Sequence, residues 1–204
     1  AEKIPVNNEE RVLYLLAYLL NQEKYVKSEM LMEFLCISKG TLSGTIKQVE
    51  RNIERYGITL ERRPNYGIRI KGSEFDIRRC MGDLFVHRGF FQEIIDQRQR
   101  NELSELAKMT MDSANRYGIR FSETVFERFV NDIYIQIRRV RSRHFIDISL
   151  QDLKGLSKTE MAFVEDLRQR LVKKYDMDYP QNEKMYIALH LAGKRMVGCQ
   201  SGNE

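Results

Sequence analysis

Between Tyr56 and Lys71 the apolar pattern of the chain changes period, and that change limits the folds open to it. Upstream, Leu42, Ile46, Val49 and Ile53 recur at helical offsets. Downstream, Ile58-Thr59-Leu60-Glu61 and Gly67-Ile68-Arg69-Ile70-Lys71 alternate as half-buried strands do. Arg62-Arg63-Pro64-Asn65-Tyr66 joins the two runs, so the spacing predicts a β-hairpin directly after a helix that stops at Tyr56-Gly57. Two helices precede it. Asn8, followed by Glu9 and Glu10, reads as the N-cap of the first, which buries Val12, Leu15, Leu16, Leu19 and Leu20. Ser28 reads as the cap of a short second helix ending near Leu35, with Met30, Leu31, Phe34 and Leu35 apolar, and Ser38 as the cap of the third.

Helix, short helix, turn, longer helix and basic hairpin form the order of a winged helix-turn-helix, whose longer helix enters a DNA groove while the hairpin tip meets the backbone or minor groove. Charge supports this order. Residues 38–72 hold eight Lys or Arg against three Glu, an excess equal to the +5 net charge of all 204 residues. The third helix carries Lys39, Thr41, Ser43, Thr45, Lys47 and Gln48 away from its apolar stripe, and the wing carries Arg62, Arg63 and Arg69. Ser38, Thr41 and Ser43 suit phosphate or base edges, and the cations suit salt-dependent affinity, so the expected DNA-binding set is Ser38, Lys39, Thr41, Ser43, Lys47, Arg62, Arg63 and Arg69. A solvated basic face is the ordinary reading of such residues. Their place on the two elements that would touch DNA favours the other.

Beyond Gly72 the strand signal does not recur. Helices are predicted near 74–87, 90–99, 101–117, 123–142, 157–175 and 181–197. Ser157-Lys158-Thr159-Glu160 has the form of a capping box, and Pro180 fits just before or in the first turn of the last helix. Arg138, Arg139, Arg141 and Arg143 suit a helix C-terminus and are given no site. The fold class is therefore mainly α: a winged helix-turn-helix with a small β wing in residues 1–72, followed by an all-α bundle in residues 73–204.

Several function classes fall away. Val12–Leu20, the longest apolar stretch, is less than half of the roughly 20 residues a membrane-spanning helix needs, and the first residues lack a secretory pattern. A cytoplasmic location away from membranes is expected. Cys36, Cys80 and Cys199 are odd in number and far apart, and read as reduced and structural. With no Gly-rich phosphate loop, nucleophile elbow, zinc spacing or acid/base motif, the reading is of a non-enzyme that needs no metal or cofactor.

Two stretches carry a resemblance. Ser38–Gly72, with Arg63-Pro64-Asn65-Tyr66-Gly67-Ile68-Arg69-Ile70-Lys71-Gly72-Ser73-Glu74 across its end, resembles the second winged helix of activators with phosphotransferase-system regulation domains (PRDs), including the mannitol, lichenan and Mga-like groups. Residues 182–195, Asn-Glu-Lys-Met-Tyr-Ile-Ala-Leu-His-Leu-Ala-Gly-Lys-Arg, resemble the signature that closes a PRD. The resemblance implies that His190 accepts a phosphoryl group. An earlier histidine, usual in a Leu-Val-Ile-His-Ile-x-Ile-x-Ile run, is replaced here by Asp132 within Phe129-Val130-Asn131-Asp132-Ile133-Tyr134-Ile135-Gln136-Ile137. Asp132 cannot form phosphohistidine, but its negative charge could imitate part of one. His87 and His144 match no motif and read as surface or core residues.

Full-length relatives usually add another helix-turn-helix, a second PRD and modules like enzymes IIB and IIA, so the resemblance implies a fragment. The function it implies is a DNA-binding regulator of sugar-utilisation genes, controlled by histidine phosphorylation. Implied partners are double-stranded DNA, the phosphocarrier HPr or enzyme IIB, and a second copy in a homodimer. The runner-up is an RNA-binding antiterminator; its relatives begin with a small β-rich module, whereas this chain begins with helices. A third reading keeps the helix-turn-helix for dimerisation or docking alone.

Overall fold

Local capping and periodicity account for most element boundaries in the computed structural model, which describes Pro5 and residues 7–86, 97–147 and 155–198. The elements run α1 (Asn8–Leu20), α2 (Ser28–Leu35), α3 (Lys39–Glu54), β1 (Thr59–Arg63), β2 (Gly67–Lys71), α4 (Glu74–Val86), α5 (Gln97–Arg116), α6 (Glu123–Arg141), α7 (Lys158–Tyr175) and α8 (Gln181–Gly198). The chain divides into two compact units, residues 1–94 and 95–204. Helix α4 therefore groups with the first unit, twenty-odd residues beyond the boundary read from sequence, because it packs on α1.

In the first unit, the apolar stripes of α1 and α3 face each other. Val12, Leu15, Leu16, Leu19 and Leu20 meet a core that includes Leu42, Ile46, Val49 and Ile53, all buried as the spacing required. Asn7, not Asn8, caps α1: its side chain accepts from the Glu10 amide at 2.8 Å, so the acids Glu9 and Glu10 fall in the first turn. Lys27 occupies the cap position of α2 without a side-chain bond, and Ser28 is already helical. Ser38 does cap α3, accepting from the Thr41 amide at 3.3 Å. Met30 and Phe34 of the expected α2 stripe remain exposed, with Phe34 4.4 Å from the Tyr18 ring centroid.

The hairpin pairs Thr59 with Lys71 through Arg63 with Gly67, antiparallel. It gains a third edge from the α1–α2 connection, where Val26 and Ile68 exchange both backbone bonds at 2.8 and 3.0 Å. Gly67 makes this approach possible. Its φ is +108°, and a Cβ there would stand 1.9 Å from the Val26 carbonyl oxygen. At the end of α3, the Tyr56 hydroxyl receives Arg55 at 2.6 Å and donates to Asp83 of α4 at 2.8 Å. Burial and that acceptor push the Tyr56 phenol up to about 12.

Among the described residues the second unit holds four helices, in which α5 packs on α6 and α7, and α8 packs on α6 and α7. Residues 129–137 of α6 are buried on every side, so this helix is central rather than merely amphipathic. Ser157 and Glu160 form the expected capping box at α7, with bonds of 3.2 and 2.7 Å. Basic residues Arg138, Arg139 and Arg141 fill the last turn of α6, and Arg141 reaches Glu102 of α5 at 3.3 Å. His87, Cys199 and most of the helix expected at 90–99 lie outside the described residues.

Candidate functional site

Two surfaces collect the residues singled out from sequence. The first is the exposed side of α3 and the wing. Ser38, Lys39, Thr41, Ser43 and Lys47 are all exposed, and Gly40 and Gly44 between them keep that side low. The apolar stripe of α3 dictates this: with Leu42, Ile46, Val49 and Ile53 turned inward, those positions face solvent. Thr45 does not join them. It is buried and donates its hydroxyl to the Thr41 carbonyl at 3.0 Å, because its position falls on the edge of the apolar stripe.

The wing arginines differ in their commitments. Arg62 reaches Glu50 of α3 at 2.7 Å and remains more than half exposed. Arg63 lies with its guanidinium 4.2 Å from the Tyr66 ring centroid, at the turn. Arg69 is held within the unit, 2.5 Å from Glu61 and 4.6 Å from the Tyr25 ring centroid. Tyr25 also donates to Glu61 at 2.6 Å, and with Arg69 it holds the Glu61 carboxyl below its ordinary range. Tyr25 precedes Val26 of the third wing edge, and nothing in its local sequence flagged this role. Among the described residues, Arg62 and Arg69 each pair with a glutamate, whereas Arg63 lies over an aromatic ring.

The second surface lies where α6 meets α8. His190 Nδ1 stands 2.9 Å from Asp132 Oδ2, with the histidine side chain 21% exposed and the aspartate 7% exposed. The Tyr186 ring, one turn earlier on α8 and buried, lies 4.2 Å from the imidazole centroid. The substituted position and the signature histidine thus touch directly. Nearby, Glu183 is fully buried and acts as a hub: it accepts from Gln136 Nε2 at 2.8 Å and from the Ile146 amide at 2.9 Å. Tyr179 donates to Gln136 Oε1 at 2.9 Å. This network fixes the start of α8 against α6, and with it the level at which His190 meets Asp132. The glutamate was visible in the signature. Its partners Gln136 and Tyr179 were not, since only helix rotation makes them neighbours.

His144 is half-buried just after α6, its amide bonded to the Arg139 carbonyl at 3.0 Å. Cys80 is buried, whereas Cys36 is exposed at the left-handed C-cap of α2, where its thiol donates to the Glu33 carbonyl at 3.5 Å.

A helix-turn-helix with a β wing is thus followed by a helical unit in which a histidine is paired across two helices. The matching family models divide the chain in the same way: the Mga helix-turn-helix domain over residues 6–85 and the PRD domain over residues 107–194. Both parts of the chain are thus similar to PRD-containing regulators. It is 30% identical over 98% of its length to the "Probable licABCH operon regulator" of Bacillus subtilis (strain 168), of which it covers 32%. It is 21% identical over 93% of its length to the "Transcriptional regulator ManR" of the same organism, of which it covers 30%. The chain thus spans about a third of the length of these relatives. No helix among the described residues is long and apolar enough to cross a membrane.

Proposed function

We propose that this chain is the DNA-reading and sensing part of a transcriptional regulator of sugar-utilisation genes, with His190 as a phosphoryl acceptor and the exposed side of α3 as the groove-facing element. The observation that carries the reading is the solvent-facing set Ser38, Lys39, Thr41, Ser43 and Lys47 on one helix, beside a wing that presents Arg62 and Arg63. Ser38 and Thr41 sit at the helix start, where backbone amides favour a phosphate, and the cations further along supply affinity that falls with salt. Arg69, tied to Glu61 and Tyr25, shapes the wing in this reading more than it contacts DNA.

His190 enters as the sensor because it is partly exposed just after the buried run Met185–Ala188 of α8. A phosphoryl group there adds about −1.5 to −2 charges beside the α6–α8 packing, enough to alter a protein contact. The donor in this reading is HPr or an enzyme IIB, both phosphohistidine or phosphocysteine carriers, and the regulated contact is one within a homodimer. A cytoplasmic site of action, away from membranes, follows from those partners.

The test for the DNA half is selection of duplexes from a random pool, followed by binding measured at rising salt. Specific binding that weakens with salt, and that loses slope in Lys39→Ala and Lys47→Ala, is the expected result. Absence of duplex binding, with retained self-association, would instead favour the docking role, and preference for structured RNA would favour the antiterminator.

A further inference from the structure

The contact between Asp132 and His190 has a chemical consequence that neither residue shows alone. We infer that Asp132 is a positioning residue that holds the proton of His190 on Nδ1, leaving Nε2 as the nitrogen that receives the phosphoryl group. This rests on the reading of His190 as an acceptor and goes further, naming the atom and the partner that prepares it.

The geometry is directional. A neutral imidazole carries one N–H and one lone pair, and the nitrogen that faces a hydrogen-bond acceptor keeps the proton. The atom facing Asp132 Oδ2 at 2.9 Å is Nδ1. A carboxylate accepts only, so Nδ1 donates and the lone pair lies on Nε2, across the ring. Asp132 is nearly buried, on a stretch of α6 closed on all sides, and this gives its side chain little room to turn. The Tyr186 ring against the imidazole limits rotation of the other partner. Together they leave the 21% of the histidine side chain that is exposed for an incoming group.

In the transfer itself, the Nε2 lone pair attacks the phosphorus of a phosphohistidine on a carrier protein. The new Nε2–P bond forms as the carrier's P–N bond breaks. The electron pair of that bond returns to the carrier's ring, which is protonated on its other nitrogen and leaves as neutral imidazole. The proton on His190 Nδ1 stays in place, so the phosphorylated ring is an imidazolium whose charge Asp132 balances. The retained proton lets His190 leave again as neutral imidazole, which keeps the transfer reversible. Asp132 on this view serves His190 and does not act as a permanent substitute for a phosphoryl group.

The experiment uses the chain labelled with 15N-histidine, in wild-type, Asp132→Asn and Asp132→Ala forms checked for folding by circular dichroism. Long-range 1H–15N spectra of the neutral ring report the tautomer, and phosphoenolpyruvate with enzyme I and HPr then supplies the phosphoryl group. The expected result is an Nδ1–H tautomer for His190 in the wild type and its partial loss in Asp132→Ala. Phosphorus is expected on Nε2, with label incorporation about tenfold or more slower in both variants. Phosphorus on Nδ1, an Nε2–H tautomer in the wild type, or unchanged rates in both variants would overturn the role of Asp132 while leaving His190 an acceptor. No label on His190, with a known PRD labelled in parallel, would remove the acceptor reading itself, and the inference with it.

Discussion

One amide group of Gln136 binds Glu183 twice: Nε2 donates to the Glu183 carboxyl and to its main-chain carbonyl, each at 2.8 Å. Both residues are fully buried, and the second carboxyl oxygen takes the Ile146 amide. Buried donors that lose an acceptor cost more than the bond was worth, because nothing replaces the water they gave up. Glu183→Ala should therefore destabilise the second unit by about 3 kcal/mol, read as a lowered urea midpoint with an unchanged slope. Gln136→Leu, which removes donor and acceptor together, should also lower it, since Glu183 and the Tyr179 hydroxyl then lose a partner. A change below about 0.5 kcal/mol in both variants would show that the network adds nothing to stability.

Gly67 carries the closest approach in the first unit. At φ +108°, with Val26 carbonyl oxygen 1.9 Å from where a Cβ would sit, alanine cannot be placed without displacing the third wing edge. Gly67→Ala is expected to cost about 3 kcal/mol, combining left-handed strain with overpacking. Amide exchange at Val26 and Ile68 should accelerate in the variant, since these two amides donate the bonds that would be lost. Protection unchanged at both amides would contradict the assignment.

Glu165 links α7 to α8 through Lys184 at 2.7 Å while also accepting from Arg168 of its own helix. Those bonds, Arg168 first, lower its carboxyl from an ordinary 4.5 to about 2. A depressed value means that the folded state releases this proton more readily than the unfolded one. The stabilisation is complete above about pH 4.5 and disappears as the pH falls through about 2. Urea midpoints at about pH 5 and about pH 3 should therefore differ less in Glu165→Gln than in the wild type; equal differences would mean that other carboxyls govern acid unfolding.

Cys80 lies buried in α4, and desolvation pushes its thiol up to about 12. With so little thiolate at neutral pH, its alkylation requires opening of the first unit. In a Cys36→Ser, Cys199→Ser background, maleimide labelling at about pH 8 should be slow and should accelerate in parallel with added urea. Rapid labelling without denaturant would mean that α4 leaves α1 readily.

Much of the fold was readable because its signals are local. The Ser157–Glu160 capping box, the Ser38 cap, the two stripes of α1 and α3 and the hairpin after Gly57 each depend on residues within a few positions of one another. Where the local signal was ambiguous it misled by a small step. Asn7 and Asn8 are both good caps, and only the bond to the Glu10 amide distinguishes them. Thr45 carries a hydroxyl, but its place beside Ile46 turned it inward.

For the site, the sequence by itself determined that His190 follows Tyr186-Ile187-Ala188-Leu189 within the 182–195 signature, that Asp132 stands where the resemblance expects a histidine, and that basic residues gather in α3 and the wing. Tertiary structure decided what these residues can do. Asp132 and His190 lie on helices that α7 separates in the sequence, and their meeting depends on how far α6 and α8 are rotated about their axes. That rotation is set by buried packing and by the Gln136–Glu183 bonds, which no periodicity encodes. The same holds for Arg69, whose pairing with Glu61 and Tyr25 follows from strand register and from a connection that crosses the wing, while Arg63 at the turn lies over the Tyr66 ring. Helices follow from short-range patterns; the partners of polar groups follow from closure of the chain in three dimensions.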